Sequence, residues 1–326
     1  MSRKLRVAVL CGGRSGEHEI SLRSSESILA GLDPAKYIAQ RIFITKEGQW
    51  QPRAISPEPG ANPGIDVVFP ILHGTFGEDG TVQGLLELAG LPYVGAGVLA
   101  SSVSMDKEVM KRLCAERGLP IVEYLVVHRG HVDLEAVCGR LPFPVFVKPA
   151  NLGSSVGISK AKNCEELKAA LDLAARYDHK ILVERGITGR EFECSVLGSH
   201  KPLAAVPCEI IPSREFYDYE DKYLLDAAQL IVPAPLAPEQ TAEMQSLAVA
   251  CYQAVECEGM GRVDFLMEAT GKIYINEINT IPGFTSISMY PKMWEAAGVS
   301  FSELLDRLIE QALERHRRRE ETRFTR

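Results

Sequence analysis

The first third of the chain alternates short apolar runs with helix-spaced patterns, and this alternation restricts the fold more than any other feature. Leu5-Arg6-Val7-Ala8-Val9-Leu10 runs into Cys11-Gly12-Gly13, a strand followed by a tight loop. Residues 20–32 carry Leu22, Ile28, Leu29 and Leu32 among serines, an amphipathic helix, and 37–45 alternates as a strand. Val67, Val68, Phe69, Ile71 and Leu72 fit a strand buried on both faces. Val82, Leu85, Leu86, Leu88 and Ala89 then recur at helical spacing. Strands alternating with helices predict an α/β unit, a parallel-sheet, Rossmann-like domain over residues 1–100.

The rest of the chain reads differently. A helix is expected over 105–117, closed by Gly118 with Pro120 beyond, then strands at 122–127 and 144–148. Asn163 stands three residues before Glu166, a capping-box start for a helix to Arg176, and 180–184 is a strand. From 187 onward strands dominate, at 190–197, 202–211, 260–268 and 272–278, with a helix from Pro238 to about 256. Ser300 and Glu303 open a last helix. Its end holds arginines at 315, 317, 318, 319, 323 and 326 and reads as a fraying, solvated terminus.

A net charge of −7 argues against a general nucleic-acid partner. No apolar run approaches the ~18–20 residues that span a bilayer. Met1-Ser2-Arg3-Lys4 leads into a strand rather than a signal-peptide core, so a cytoplasmic protein is expected. The cysteines at 11, 114, 138, 164, 194, 208, 251 and 257 are scattered, which predicts buried free thiols rather than a disulfide framework or zinc ribbon. His128 and His131 flank Gly130 with no third ligand near and are not read as a metal site.

Two glycine motifs carry three competing readings. Gly95-Ala96-Gly97-Val98-Leu99-Ala100 matches a dinucleotide pattern after a strand expected at 92–94. That site needs an acidic residue closing the next strand ~20 residues on. The acid at that distance, Glu116, falls within the expected helix, so a tight turn fits better than a nicotinamide site. Gly153-Ser154-Ser155-Val156-Gly157 matches G-x-S-x-G, but a nucleophile elbow needs a following helix and a later histidine. Here 156–160 alternate like a strand, and His316 lies in the basic tail. The third reading makes the same loop a phosphate cradle: glycines admit backbone N–H groups, serines add hydroxyls, and Lys148 on the preceding strand adds positive charge.

The C-terminal part favours that third reading. Arg262 and Asp264 share one strand face, as do Glu277 and Asn279 on another. Paired, these strands would bring Asp264, Glu277 and Asn279 together as an all-oxygen set suited to Mg²⁺. The bland alternative is an ion pair between Arg262 and a carboxylate. An acid–asparagine set without a basic partner for every carboxylate favours the metal.

Lys148-Pro149-Ala150-Asn151-Leu152-Gly153-Ser154-Ser155-Val156-Gly157, Arg262-Val263-Asp264 and Asn276-Glu277-Ile278-Asn279-Thr280-Ile281-Pro282-Gly283 together resemble the ATP-grasp superfamily, and more narrowly the D-alanine–D-alanine ligases. Gly12-Gly13-Arg14-Ser15-Gly16-Glu17-His18-Glu19, His73-Gly74-Thr75-Phe76-Gly77-Glu78-Asp79-Gly80 and Met105-Asp106-Lys107 match as well, in the family's order. The resemblance implies an N-terminal substrate domain (1–100) before a two-domain, α+β ATP-grasp fold (101–186 and 187–326), with ATP between the latter two.

By that resemblance Lys107 and Lys148 contact phosphates, and Ser154 and Ser155 lie in the loop that closes over them. Glu184, Arg185 and Ile187 line the adenine pocket, Arg185 standing where many relatives carry lysine, and Glu191 holds the ribose. Asp264, Glu277 and Asn279 bind two Mg²⁺, with Mn²⁺ as a substitute. Glu17 meets the first D-alanine's ammonium group and links through Ser154 to Tyr223. His73 lies near the first D-alanine, and Ser288 and Met289 near the second. Arg262 and the Gly283 N–H meet a tetrahedral oxyanion.

Residues 213–223 read as a closing lid, where by the resemblance Lys222-Tyr223 implies D-alanine as acceptor. The implied activity is ATP-dependent joining of two D-alanines through an acyl phosphate for peptidoglycan synthesis, by a cytoplasmic homodimer without nucleic-acid or membrane partners. The alternatives are a D-serine or D-lactate acceptor, a non-catalytic nucleotide sensor of the same fold, and an NAD-dependent oxidoreductase.

Overall fold

Alternation along the first strand sets the layering of the N-terminal unit. In the computed structural model, which describes residues 3–212 and 229–323, β1 (Leu5–Gly12) sends Val7, Val9 and Cys11 to one side and Ala8 and Leu10 to the other. After α1 (His18–Gly31), β2 (Tyr37–Ile44) pairs parallel with β1; the two-residue β3 (Trp50–Gln51) adds an antiparallel edge, and β4 (Val67–Pro70) pairs parallel on β1's other side. The sheet order is β3-β2-β1-β4. Gly12 ends β1 at φ +89°, and a Cβ there would stand 2.2 Å from the Ile44 carbonyl oxygen, so only glycine lets the chain turn toward α1.

Three helices lead out of this unit: α2 (Thr81–Leu88), α3 (Val98–Met105) and α4 (Lys107–Glu116). The expected single helix at 105–117 is broken at Asp106, whose extended backbone and side chain, accepting the Val109 N–H, cap α4. The strand expected at 92–94 is a single bridge, Val68 to Tyr93.

The central unit holds β5 (Tyr124–His128), α5 (Leu134–Cys138), β6 (Val145–Pro149), β7 (Ser159–Ala161), α6 (Cys164–Ala174) and β8 (Lys180–Arg185). Its antiparallel sheet, β5-β8-β6-β7, packs Val145, Val147, Ile181 and Val183 beneath α5 and α6. Lys148, Phe146 and Glu184 stand on the opposite face. At α6 the Asn163 side chain accepts the Glu166 N–H at 2.9 Å, as its spacing predicts.

In the C-terminal unit β9 (Gly189–Gly198), β10 (Leu203–Ala204), β11 (Cys208–Ile211) and β12 (Gln229–Ile231) precede α7 (Pro238–Ala254), β13 (Gly259–Glu268) and β14 (Ile273–Asn279). The sheet runs β12-β11-β9-β13-β14, all antiparallel, with β10 on β9, so the strand expected over 202–211 is two short ones. α7 buries Met244, Ala248, Cys251 and Tyr252 against this sheet. The chain then forms α8 (Met289–Ala296) and α9 (Phe301–Glu320).

α9 returns to the beginning of the chain. Leu304, Leu305, Leu308 and Ile309 share one core with Val7, Val9 and Phe69, so residues 1–100 do not close their own hydrophobic face. The solvated arginine end is corrected for two residues, Arg315 and Arg318. Arg315 donates to the carbonyls of Tyr93 and Gly95 and lies 4.2 Å above the Tyr93 ring. Arg318 pairs with Glu258 at 2.7 Å, and Arg319 with Glu87 at 2.6 Å. The i, i+3 and i+4 spacing puts all three on one side of the helix, although the Arg319 side chain stays 54% exposed.

The cysteine expectation is corrected too. Six cysteines are free and buried, but Cys138 and Cys164, ending α5 and starting α6, are joined by a disulfide with Cα atoms 5.8 Å apart. Their separation of 26 residues hides this approach, which the packing of α5 on α6 creates.

Candidate active site

The pairing of β13 with β14 builds the floor. Arg262 lies opposite Asn279 and Asp264 opposite Glu277, on the same side of the sheet. Phe265, the next residue on β13, pairs with Ile275, so Asn276 is an extra residue, a bulge. The bulge reverses the alternation: Ile273 and Ile275 face the core before it and Ile278 after it, which frees Glu277 and Asn279 for the cleft. On β13's other side Glu193 pairs with Asp264 and Glu191 with Leu266, extending the acidic row.

Arg262 binds Asp264 through two hydrogen bonds of 2.7 and 2.6 Å and approaches Glu193 at 3.2 Å. Burial works against its charge, yet Asp264 and Glu193 push the guanidinium well above its ordinary value. The ion pair weighed against the metal reading is therefore present, both along β13 to Asp264 and across to Glu193 on β9.

Lysines converge from the opposite wall. Lys107, at the start of α4, donates to the Leu152 carbonyl at 2.8 Å and lies 3.2 Å from Glu277. Lys148 donates to the bulged Asn276 at 3.0 Å and pairs with Glu184 at 2.7 Å. Lys111, which sequence reasoning missed, approaches the other Glu184 oxygen at 3.1 Å; one helical turn beyond Lys107, it could have been found by i, i+4 spacing. Despite burial, Lys111 and Lys148 hold Glu184 down at about 2. Burial lowers Lys111, with Glu184 opposing it.

The loop after β6 closes the arrangement. Ser154 and Ser155 take positive φ, 53° and 58°, a left-handed conformation that costs side-chain-bearing residues of order 1–3 kcal/mol and collects at functional sites. The Ser154 hydroxyl donates to Glu17 at the head of α1, so two of the three expected triad members touch. The third, Tyr223, with Lys222 and the lid 213–223, lies outside the described residues.

A cleft of about 510 Å³ joins these groups. Glu17, His73, Ser154, Arg262, Gly283, Ser288 and Met289 line it together with Glu277 and Asn279. A narrower adjoining recess of about 120 Å³ is lined by Lys107, Lys148, Ser155, Ile187, Glu191 and Asp264. Glu184 lies beneath this recess between its two lysines, while Arg185 turns to Glu268 and Tyr274, at 3.0 Å each. His73 is buried, its Nδ1 3.0 Å from the Ile281 carbonyl, and burial lowers its pKa. The Ser288 hydroxyl accepts the Thr285 N–H at 2.9 Å and thereby holds the 283–288 loop.

Among the described residues no three His, Cys, Asp or Glu side chains form a metal cage. The carboxylates of Asp264 and Glu277 and the amide of Asn279, whose N–H donates to Asp264 at 3.1 Å, stand together at the junction of both recesses. Few, hard donors beside phosphate-sized space fit Mg²⁺, which keeps water and phosphate oxygens in its remaining positions.

Glu78 also escaped the sequence reading, although it lies in the motif that follows His73. Its carboxyl accepts the Gly74 N–H at 2.6 Å and the Ile281 N–H at 3.3 Å, tying the N-terminal unit to the loop after β14. Burial, aided by the nearby Glu17 charge, raises it to about 8. An acid raised on folding contributes most below its ordinary value and loses that contribution as pH climbs toward about 8. Glu78→Gln is expected to flatten the fall in stability between about pH 5 and about pH 8. Urea midpoints at the two pH values check this, and an unchanged slope counts against a protonated Glu78.

Two sheets flanking a cleft, one bearing Lys148 with Lys107 beside it on α4 and the other an acid–amide row, define an ATP-grasp enzyme, and solved structures of that class share the architecture. The family model for the D-ala D-ala ligase C-terminus matches residues 113–310, and that for the N-terminus matches 6–62 and 51–96. The chain belongs to the D-alanine–D-alanine ligase family.

It is 68% identical over 324 residues to a D-alanine–D-alanine ligase of Solibacter usitatus, covering 99% of this chain and 100% of the relative. The D-alanine–D-alanine ligase of Coxiella burnetii superposes with a TM-score of 0.89 at 39% identity, covering 98% of this chain and 97% of that one. The VanG D-Ala:D-Ser ligase of Enterococcus faecalis gives 0.88 at 35%, covering 95% and 100%. No described helix is long and apolar enough to cross a membrane.

Proposed function

We propose that this chain joins two D-alanine molecules into D-alanyl-D-alanine with ATP, for peptidoglycan synthesis. The carrying observation is the pairing of Asp264 with Glu277, and Arg262 with Asn279, on the wall of the cleft that Lys107, Lys148 and the 153–157 loop complete. Family membership and close relatives of that activity support it. The first D-alanine carboxylate attacks the γ-phosphate, giving an acyl phosphate and ADP. The second D-alanine's amine then attacks the acyl carbon, and phosphate leaves.

The residues divide this work. Lys107 and Lys148 orient the phosphates, since positioning and charge neutralisation dominate phosphoryl transfer. Ile187 and the Glu184–Arg185 strand end border the adenine, and Glu191 holds the ribose. Asp264, Glu277 and Asn279 would hold a pair of Mg²⁺, which supply charge neutralisation along the phosphate oxygens. Glu17, held by Ser154, receives the first substrate's ammonium group, with His73 beside it. Arg262 and the Gly283 N–H stabilise the oxyanion of the second step. Ser288 and Met289 border the second D-alanine. Lys222 and Tyr223 are assigned to the lid that excludes water, and Tyr223 supports an amine acceptor. A homodimer working in the cytoplasm completes the reading.

Incubation with ATP, Mg²⁺ and D-alanine should yield ADP, phosphate and the dipeptide mass, with no product from L-alanine. Competing D-serine and D-lactate test the acceptor. A dominant product with either, or none with D-alanine, overturns the assignment.

A further inference from the structure

The lysines of the cleft are nearly all compensated. Lys107 stands 3.2 Å from Glu277, and Lys148 stands 2.7 Å from Glu184. Two such pairs carry no net charge, so by themselves they would offer a triphosphate little attraction. Lys111 breaks that balance. It projects from α4, is fully buried, and meets Glu184 at 3.1 Å on the oxygen that Lys148 leaves. Burying an ammonium group is costly and needs a return, and here the carboxylate beside it is shared with a lysine that reaches the cleft.

We infer that Lys111 is a positioning residue for ATP: by taking up the charge of Glu184, it leaves Lys148 a net positive charge to present to the phosphates. This rests on the reading of Lys148 as a phosphate ligand. The set Lys111–Glu184–Lys148 carries +1, and without Lys111 it would carry none. Lys111 is buried and lines neither recess, and the Tyr124 ring lies 5.8 Å from its Nζ.

Calorimetry of MgATP binding to the full chain tests this, with thermal melts confirming each fold. Lys111→Met is expected to weaken MgATP about tenfold and to raise the KM for ATP more than it changes kcat. Lys111→Met combined with Glu184→Gln restores the +1 set and is expected to recover most of that loss. Wild-type affinity in Lys111→Met, or no recovery in the double variant, overturns the inference. Lys148→Met serves as the reference, and unchanged MgATP affinity there overturns the phosphate reading instead. If Lys111→Met does not fold, the double variant is compared with Lys148→Met: affinity nearer wild type supports the charge role, and affinity as weak as Lys148→Met overturns it.

Discussion

Arg262→Lys is expected to lower kcat about 10²–10³-fold, the usual cost of losing one preorganised oxyanion donor, while MgATP affinity stays near wild type. Lysine keeps the charge but not the fork. Arg262 reaches both oxygens of Asp264 and also approaches Glu193, so its guanidinium is fixed in plane beside the cleft. An ammonium group has one nitrogen for these tasks and would follow whichever carboxylate is nearer. Steady-state kinetics with saturating D-alanine separate the two effects. An unchanged kcat would remove Arg262 from the second step.

The second large effect is on stability. Phe284→Ala is expected to cost about 3–5 kcal/mol, as for other large-to-small changes in a closed core. The ring is fully buried, 5.8 Å from Phe69 on β4, 5.5 Å from Tyr290 on α8 and 6.2 Å from Phe301 on α9. Its own N–H donates to Ser24 of α1 at 3.2 Å, so the residue after Gly283 is pinned from both ends of the chain. A cavity there should lower the thermal midpoint and also loosen Gly283, reducing kcat. A midpoint near wild type would mean that the units at the two ends of the chain fold independently.

That shared core marks where sequence reading stopped. Periodicity located β1, α1, β4 and α4 to within a few residues, because each repeat is a local consequence of which side is buried. It could not assign α9 to the N-terminal sheet, since nothing within 301–320 names the partner of its apolar stripe. The arginines at its end looked like a solvated run for the same reason; Tyr93, Glu87 and Glu258 are far away in sequence. Cys138 and Cys164 were likewise unreadable as a pair.

At the site, Asp264, Glu277 and Asn279 were legible from alternation alone, but alternation also put Ile275 on the face of Glu277. The structure resolves this with the bulge at Asn276, and the change of spacing from Ile273-x-Ile275 to Ile275-x-x-Ile278 is its trace in the sequence. Lys111 and Glu78 went unread because a buried titratable group makes sense only once its partners are known. For Lys111 that partner is Glu184, and for Glu78 it is the N–H of Ile281, 203 residues away.

The sequence by itself determined the order of the elements, the α/β character of the first unit, and which polar side chains share a strand face, because spacing and side-chain type are local properties. Only the tertiary structure decided which charges are compensated and which are left to act. Coulombic balance depends on distances between residues that the chain order does not relate.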